Sequence, residues 1–424
     1  MKKDSEQQRQ TLGPIPIRVA LLGTGIFAAN CTFPTIRKLP DKFELVAVWS
    51  RRKESVAGFL EKHNINNKID SSSSENTHTD NVNDDVPGFS GDEGLDQILH
   101  NSALAVDALI MALPISAQPV FIELALQAGK HVLSEKPIAA TLEEAKRLLH
   151  VYEGIKQKRL QQQESTLQWS VAENFRYEPA IEHVARVVAN GEIGKPTLFS
   201  LLIRLPFKPG NKYLHTDWRS KPKWYGGLIP DVFVHSTALL RKVFARTNHE
   251  PKQVSAVTTS TADHIPSVDT MSSIISFVNT NNNGDDNSHL HGTVSLSFAC
   301  TYVKYELEVN GVKGAVLLQR KTKVGDSGYI VTVLDENGQE RSKEEFQYGG
   351  IEREFVAFAN ACHARCYDGV GGKESVSNKR EHDESDDFVE DWNTPLEAMR
   401  DLELVEACLK SGIDNGKPIV LPLS

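Results

Sequence analysis

Apolar positions follow two rhythms along the chain. From residue 17 to about 152, short unbroken apolar runs alternate with stretches of helical spacing. Ile17 to Leu22 (IRVALL), Glu44 to Trp49 (ELVAVW), Val106 to Leu113 (VDALIMAL) and His131 to Ser134 (HVLS) read as buried strands. Ala29 to Leu39, Ser55 to His63, Phe121 to Ala128 and Thr141 to Tyr152 carry helical periodicity. Strands apolar on both faces, separated by helices, predict a doubly wound parallel sheet, because right-handed crossovers place helices on each side. From about Thr197 the segments lengthen and alternate. Leu198 to Leu205, Val254 to Ser260, Met271 to Val278, Thr293 to Phe298, Tyr305 to Asn310, Ala315 to Gln319 and Ile330 to Leu334 predict an open, mostly antiparallel sheet. Pro395 to Leu409 reads as an amphipathic helix with Thr394 as its N-cap. The fold class is therefore α/β, in two domains.

Three stretches break the rhythm. SSSSENTHTDNVNDD (Ser71 to Asp85), NTNNNGDDNSH (Asn279 to His289) and GGKESVSNKREHDESDD (Gly371 to Asp387) are too polar to repay ordering entropy, and read as disordered surface insertions spanning about 70–93, 279–291 and 369–391. They also change the meaning of the net charge of -9. Residues 69–94, 279–291 and 369–391 carry -7, -2 and -5, so the remaining chain is net +5. A mildly basic folded part suits an anionic small ligand. It has no Lys/Arg run of the kind that binds nucleic acid.

Other features narrow the class further. No apolar run approaches the roughly 20 residues needed to span a bilayer. The polar start MKKDSEQQRQ lacks an apolar signal region, which predicts a cytoplasmic chain with residues 1–15 as a polar tail. Five scattered cysteines (Cys31, Cys300, Cys362, Cys366, Cys408) imply no disulfide framework. Cys362 and Cys366 lie one helical turn apart and read as a buried helix face. No second ligand pair stands at metal spacing, so no metal is expected.

Candidate chemistry begins where the first strand ends. Gly23-Thr24-Gly25-Ile26-Phe27-Ala28 fits G-x-G-x-x-A between a predicted strand and a predicted helix. Gly23 permits the tight turn, Gly25 a close backbone approach to a pyrophosphate, and Ala28 close helix–sheet packing. The second strand ends in Ser50-Arg51-Arg52 rather than in an acid that would accept the ribose 2′-OH of NAD. A hydroxyl and cations there suit a 2′-phosphate, so NADP is preferred and NAD remains possible. Glu135-Lys136-Pro137 ends the strand His131 to Ser134, at the edge where ligands bind in such sheets. A lysine there can hydrogen-bond a substrate oxygen and supply a proton. Glu135 can bond within the site or cap the next turn. Asp231 and His235, four apart after Gly226-Gly227, project from one helix face and can hold a proton in transit. A structural His–Asp contact would have the same spacing.

Taken together, GTGIFA, SEKPIAATLEEAKRLL, VAENFRYEP (Val171 to Pro179), DWR (Asp217 to Arg219) and GGLIPDVFVH resemble the Gfo/Idh/MocA oxidoreductases over nearly the whole chain. NKYLHTDWRSKPKWYGGLIPDVFVH is most similar to a fungal NADP(H)-dependent branch of that family. The resemblance implies a Rossmann domain over 16–175 and a substrate and dimerisation domain over 176–424, with the last helix (395–410) packing back on the first domain. It implies Lys136, Asp231 and His235 as catalytic residues. It places Asn174 near the nicotinamide, Leu113 and Pro114 near the cofactor ribose, and Trp218 and Arg219 at the cleft. It implies a possible homodimer or higher homo-oligomer. Leu228-Ile229-Pro230 stands where the family often has small residues, and is expected to reshape the substrate pocket.

The reading is an NADP(H)-dependent oxidoreductase acting on a small alcohol or carbonyl, with no nucleic-acid or membrane partner. In it Lys136 polarises the substrate oxygen, and His235, steered by Asp231, relays the proton. The alternative is a catalytically weak, NADP-binding sensor of the same fold. A transient-oxidation enzyme would show no net cofactor turnover.

Overall fold

A computed structural model describes residues 15–65, 85–214, 227–281, 289–323, 325–367 and 391–422. Its first sheet has, among the described residues, strand order β3-β2-β1-β4-β5-β6, every adjacent pair parallel. These are β1 (Ile17–Leu22), β2 (Phe43–Ser50), β3 (Gly88–Ser90), β4 (Ala108–Met111), β5 (His131–Glu135) and β6 (Trp169–Ala172). Successive side chains of a strand point to opposite faces, and β1 supplies both cores. Val19 and Leu21 pack on one side with Phe33, Ile110 and Phe358, while Ala20 and Leu22 pack on the other with Leu109, Ile122 and Trp169. A strand buried on both faces must be apolar throughout, hence IRVALL and ALIM.

Helices α1 (Phe33–Lys38), α2 (Lys53–Lys62), α3 (Gly91–His100), α4 (Gln118–Gln127) and α5 (Leu142–Gln161) accompany these strands. The helical run containing α1 starts at residue 26 and is π-helical over Ala28–Thr32. Thr141 caps α5 by accepting a hydrogen bond from Glu144 N, as S/T-x-x-E predicts. Residues 85–93, assigned to the first insertion, instead include edge strand β3 and the first turn of α3. Short, half-buried Gly88–Ser90 carries almost no apolar signal beside the polar tract preceding it. The tail 1–14 and the insertion cores 66–84, 282–288 and 368–390 lie outside the described residues.

The second sheet has order β14-β13-β12-β11-β7-β10-β9-β8-β15 among the described residues, antiparallel except for β7 with β10. It contains β7 (Pro196–Arg204), β8 (His249–Thr259), β9 (Thr270–Asn279), β10 (His289–Ser297), β11 (Lys304–Gly311), β12 (Gly314–Arg320), β13 (Tyr329–Leu334), β14 (Glu340–Phe346) and β15 (Ile419–Val420). Strands β9 and β10 therefore occupy both ends of the stretch read as the second insertion. Buried residues alternate along β11 and β13, as one covered face requires. Against that face pack α6 (Pro179–Ala189) and the largely buried α7 (Leu228–Ala245).

Two later helices tie the sheets together. In α8 (Gly350–Tyr367), Phe355, Phe358, Ala359 and Cys362 join one face of the first sheet. The side chain of Cys366 lies outside the described set. In α9 (Pro395–Ile413), Ala398 and Leu402 join the other face, whereas Leu404, Val405 and Cys408 join the second core. Thr394 caps α9 by accepting from Glu397 N. Burying a side chain such as Phe358 fully is worth roughly 2–3 kcal/mol, so each of these contacts ties a helix firmly to its core.

Candidate active site

Every candidate group on the first sheet lies at the carboxyl ends of its strands, around the gap between β1 and β4 where strand order reverses. After β1, Gly23 has φ +110°, which an L side chain rarely adopts, and a Cβ there would lie 2.4 Å from Ala112 O. A Cβ on Gly25 would meet nothing within 4 Å. Its open side faces a cleft of about 530 Å³ lined by Gly23 to Ile26, Ser50 to Arg52, and Ala112 to Pro114. Glycine turn, basic end of β2 and β4 loop thus surround one elongated space. The donor set fits a dinucleotide: backbone N–H groups opening a helix for the pyrophosphate, and exposed Arg51 and Arg52 at the β2 end. Phe27 is exposed beside this lining, and Ala28 is buried against the sheet.

The second centre lies where β5 and β6 end. The Lys136–Pro137 peptide is cis. Lys136 Nζ donates to Asp231 Oδ1 at 3.0 Å and to Asp231 O at 2.7 Å. Asp231 and His235 do share one face of α7, as their spacing predicts, but the structure corrects the expected pairing. His235 Nδ1 bonds Glu173 Oε1 at 2.7 Å, and Asp231 binds the lysine instead. The reason is the position of α7, whose first turn meets the end of β5 while its second meets the end of β6. Phe175 stacks on the imidazole at 4.8 Å between centroids, and its N–H donates to Glu173 Oε1 at 3.1 Å.

Electrostatics separate the carboxylates. Burial tends to raise the Glu173 pKa, but the His235 imidazole bonded to it, with Lys136 and Arg176 nearby, holds it below its ordinary value. Burial pushes Glu135 up to about 8, with Glu173 and Asp231 adding to the rise against the opposing pull of Lys136. Buried Glu354, donated to by Asn393 Nδ2 at 3.3 Å, also lies well above its usual range, first through burial and then through Glu135 and Glu173. One ionised carboxylate therefore faces the imidazole while its buried neighbours favour the neutral form.

Buried ion pairs hold α7 in place. Arg176 pairs with Asp401, and Arg241 donates to Asp401 Oδ1 at 2.8 Å and to Glu397 Oε2 at 2.6 Å. These contacts join the β6 end, α7 and α9. Among the described residues, Asn174 makes no hydrogen bond to the Lys136 centre. Its amide donates to Glu178 Oε1 at 3.4 Å beside a second cavity. Leu228, Ile229 and Pro230 are buried at the start of α7, and Leu228 and Ile229 join the core of the second sheet. Trp218, Arg219 and Gly226 lie outside the described residues.

Glu173, bonded to His235, is the residue of this centre that the sequence motifs did not single out. Its signal was an acid immediately before Asn174 at the carboxyl end of a parallel strand. No group of three or more His, Cys, Asp or Glu side chains able to hold a metal occurs among the described residues, nor a helix long and apolar enough to cross a membrane.

Comparison with known proteins gives a consistent picture. A model for an oxidoreductase family with a NAD-binding Rossmann fold matches residues 17–163, and one for the GFO/IDH/MocA C-terminal domain matches residues 181–317. The chain is 30% identical over 403 residues to dehydrogenase FPY6 of Fusarium mangiferae, spanning 94% of this chain and 97% of that protein. It is 30% identical over 414 residues to the uncharacterised protein YMR315W of Saccharomyces cerevisiae, spanning 95% and 97%. An oxidoreductase from Thermotoga maritima superposes with a TM-score of 0.69 at 25% identity, covering 96% of this chain and 98% of that one.

Proposed function

This chain belongs to the Gfo/Idh/MocA oxidoreductase family, and from that premise we propose that it is an NADP(H)-dependent enzyme acting on the alcohol or carbonyl group of a small molecule. The observation that carries the reading is the Lys136–Asp231 pair beside the His235–Glu173 pair, at the ends of β5 and β6 on the same carboxyl edge of the sheet where the ends of β1, β2 and β4 frame the glycine-rich cleft. A bound nicotinamide supplies or accepts the hydride. Gly23 to Ile26 would hold its phosphates, Leu113 and Pro114 its ribose, and Ser50 to Arg52 the 2′-phosphate.

The protein's part is positioning and proton handling. Asp231 accepts two bonds from the lysine through its side chain and its backbone, and so aims Nζ. In the reducing direction Lys136 Nζ hydrogen-bonds the substrate carbonyl oxygen and supports negative charge as it develops there, and protonated His235 gives its Nε2 proton to that oxygen. A carboxylate can only accept, so Glu173 makes Nδ1 the donor and leaves Nε2 of neutral His235 as an acceptor. In the oxidising direction Nε2 takes the hydroxyl proton, and Glu173 stabilises the imidazolium formed. Phe175, stacked on the ring, limits its rotation.

The test is a titration of the purified protein with NADPH and NADH, followed by fluorescence transfer from protein to nicotinamide, then a screen of carbonyls and polyols. NADPH bound more tightly than NADH, with turnover of a carbonyl or alcohol, is the expected result. Binding without turnover would transfer the reading to the sensor alternative, and binding of neither would refute both.

A further inference from the structure

A cavity of about 390 Å³ is lined by Phe175, the ring stacked on His235, and lies between the helical run at residues 30–38, the segment after β6 and the ends of β12 and β13. Its wall includes Cys31, Asn174, Phe175, Arg320, Tyr329 and Tyr348. Arg320 ends β12 opposite Tyr329 in β13, so its backbone is held by the sheet. Its guanidinium carbon lies 5.6 Å from the centroid of the Tyr348 ring. Among the described residues Arg320 makes no ion pair. A guanidinium resting on an aromatic face keeps its N–H edge available, and that edge matches the two oxygens of a carboxylate or phosphate.

The acids beside it are occupied. Glu178 accepts from Gly349 N at 3.2 Å and from the Asn174 amide at 3.4 Å. Glu352 lies 4.0 Å from Lys38 Nζ, another cation of the lining. The cation left over is Arg320, and the ring that forms the cavity wall is the ring stacked on His235.

We infer that this cavity is the distal part of the substrate site, and that Arg320 there binds a carboxylate or phosphate carried by the substrate. The inference rests on the proposed oxidoreductase reading and narrows it to sugar-sized alcohols or carbonyls bearing an anionic group. Arg320 then acts on specificity, and the hydride step remains with the Lys136 centre.

The test is calorimetric titration of the NADP-loaded protein with D-gluconate, D-glucose 6-phosphate and D-glucose, repeated with Arg320→Met. The anionic ligands should bind roughly tenfold or more tightly than D-glucose, as a charge-assisted hydrogen bond allows. In Arg320→Met that preference should vanish while D-glucose binding and the melting temperature stay unchanged. Preference for D-gluconate over the phosphate would name the carboxylate as the group held, and the reverse the phosphate. Equal binding of all three, binding of none, or a preference that survives Arg320→Met would overturn the inference. An Arg320-dependent anion preference without turnover of any alcohol or carbonyl would refute the hydride-transfer reading alone.

Discussion

Replacing Glu173 by Gln keeps the shape of the residue and removes its charge. Glu173 Oε1 accepts from His235 Nδ1 at 2.7 Å and from Phe175 N at 3.1 Å, and the side chain is almost wholly buried. The glutamine oxygen can keep both bonds, so the loop and the ring should stay in place. What is lost is the carboxylate that stabilises an imidazolium. A hydrogen bond to a charged group contributes about 1.5–3 kcal/mol, and each 1.4 kcal/mol is a factor of ten in rate. Glu173→Gln should therefore lower kcat roughly 10–100-fold. Affinity for NADPH should be unchanged, because Glu173 lines no part of the dinucleotide cleft. If the two residues act as one unit, Glu173→Gln combined with His235→Gln should be no slower than His235→Gln alone, within the roughly 0.5 kcal/mol expected for independent error. Steady-state kinetics of the four proteins decide this. Multiplying losses, or a folded Glu173→Gln protein with wild-type kcat, would refute the assignment of Glu173 as the partner that positions His235.

Two further outcomes follow from the geometry. Arg51→Ala should weaken NADPH binding roughly tenfold, the loss of one charge-assisted bond, and leave NADH affinity nearly unchanged; equal losses for both cofactors would remove the 2′-phosphate argument. Glu135 has its folded pKa raised to about 8 from the ordinary 4.5, so the folded protein holds its proton over that interval while the unfolded chain releases it. The stability associated with it is complete below about pH 4.5 and is lost as pH rises through 8. Melting temperature should accordingly fall less between pH 6 and 9 in Glu135→Gln than in the wild type, and identical profiles would contradict the burial argument.

Much of the first domain was legible because its signals are local. Strand, glycine turn and helix lie within residues 17–38, and the positive φ of Gly23 is a local reason for a glycine, although the carbonyl of Ala112 that crowds it comes from the distant end of β4. The apolar runs of β1, β2, β4 and β5 record burial on both faces. The edge strand β3 was not legible, since three half-buried residues beside a polar tract carry little pattern. The residues of the centre could be named from their motifs, but their partners could not. Spacing of four suggested that Asp231 serves His235, whereas the fold pairs His235 with a residue 62 positions away and Asp231 with one 95 away. Such pairings depend on how α7 is set against β5 and β6, and that is decided by Arg176, Arg241 and Asp401 across three separate segments.

Whether Lys136 acts directly on the substrate oxygen is decided by the turnover of Lys136→Met, measured beside its NADPH affinity. Turnover should fall roughly 10²-fold or more, with the NADPH dissociation constant nearly unchanged and the protein folded. Wild-type turnover in the folded variant would contradict that role, as would a loss explained entirely by failure to bind NADPH.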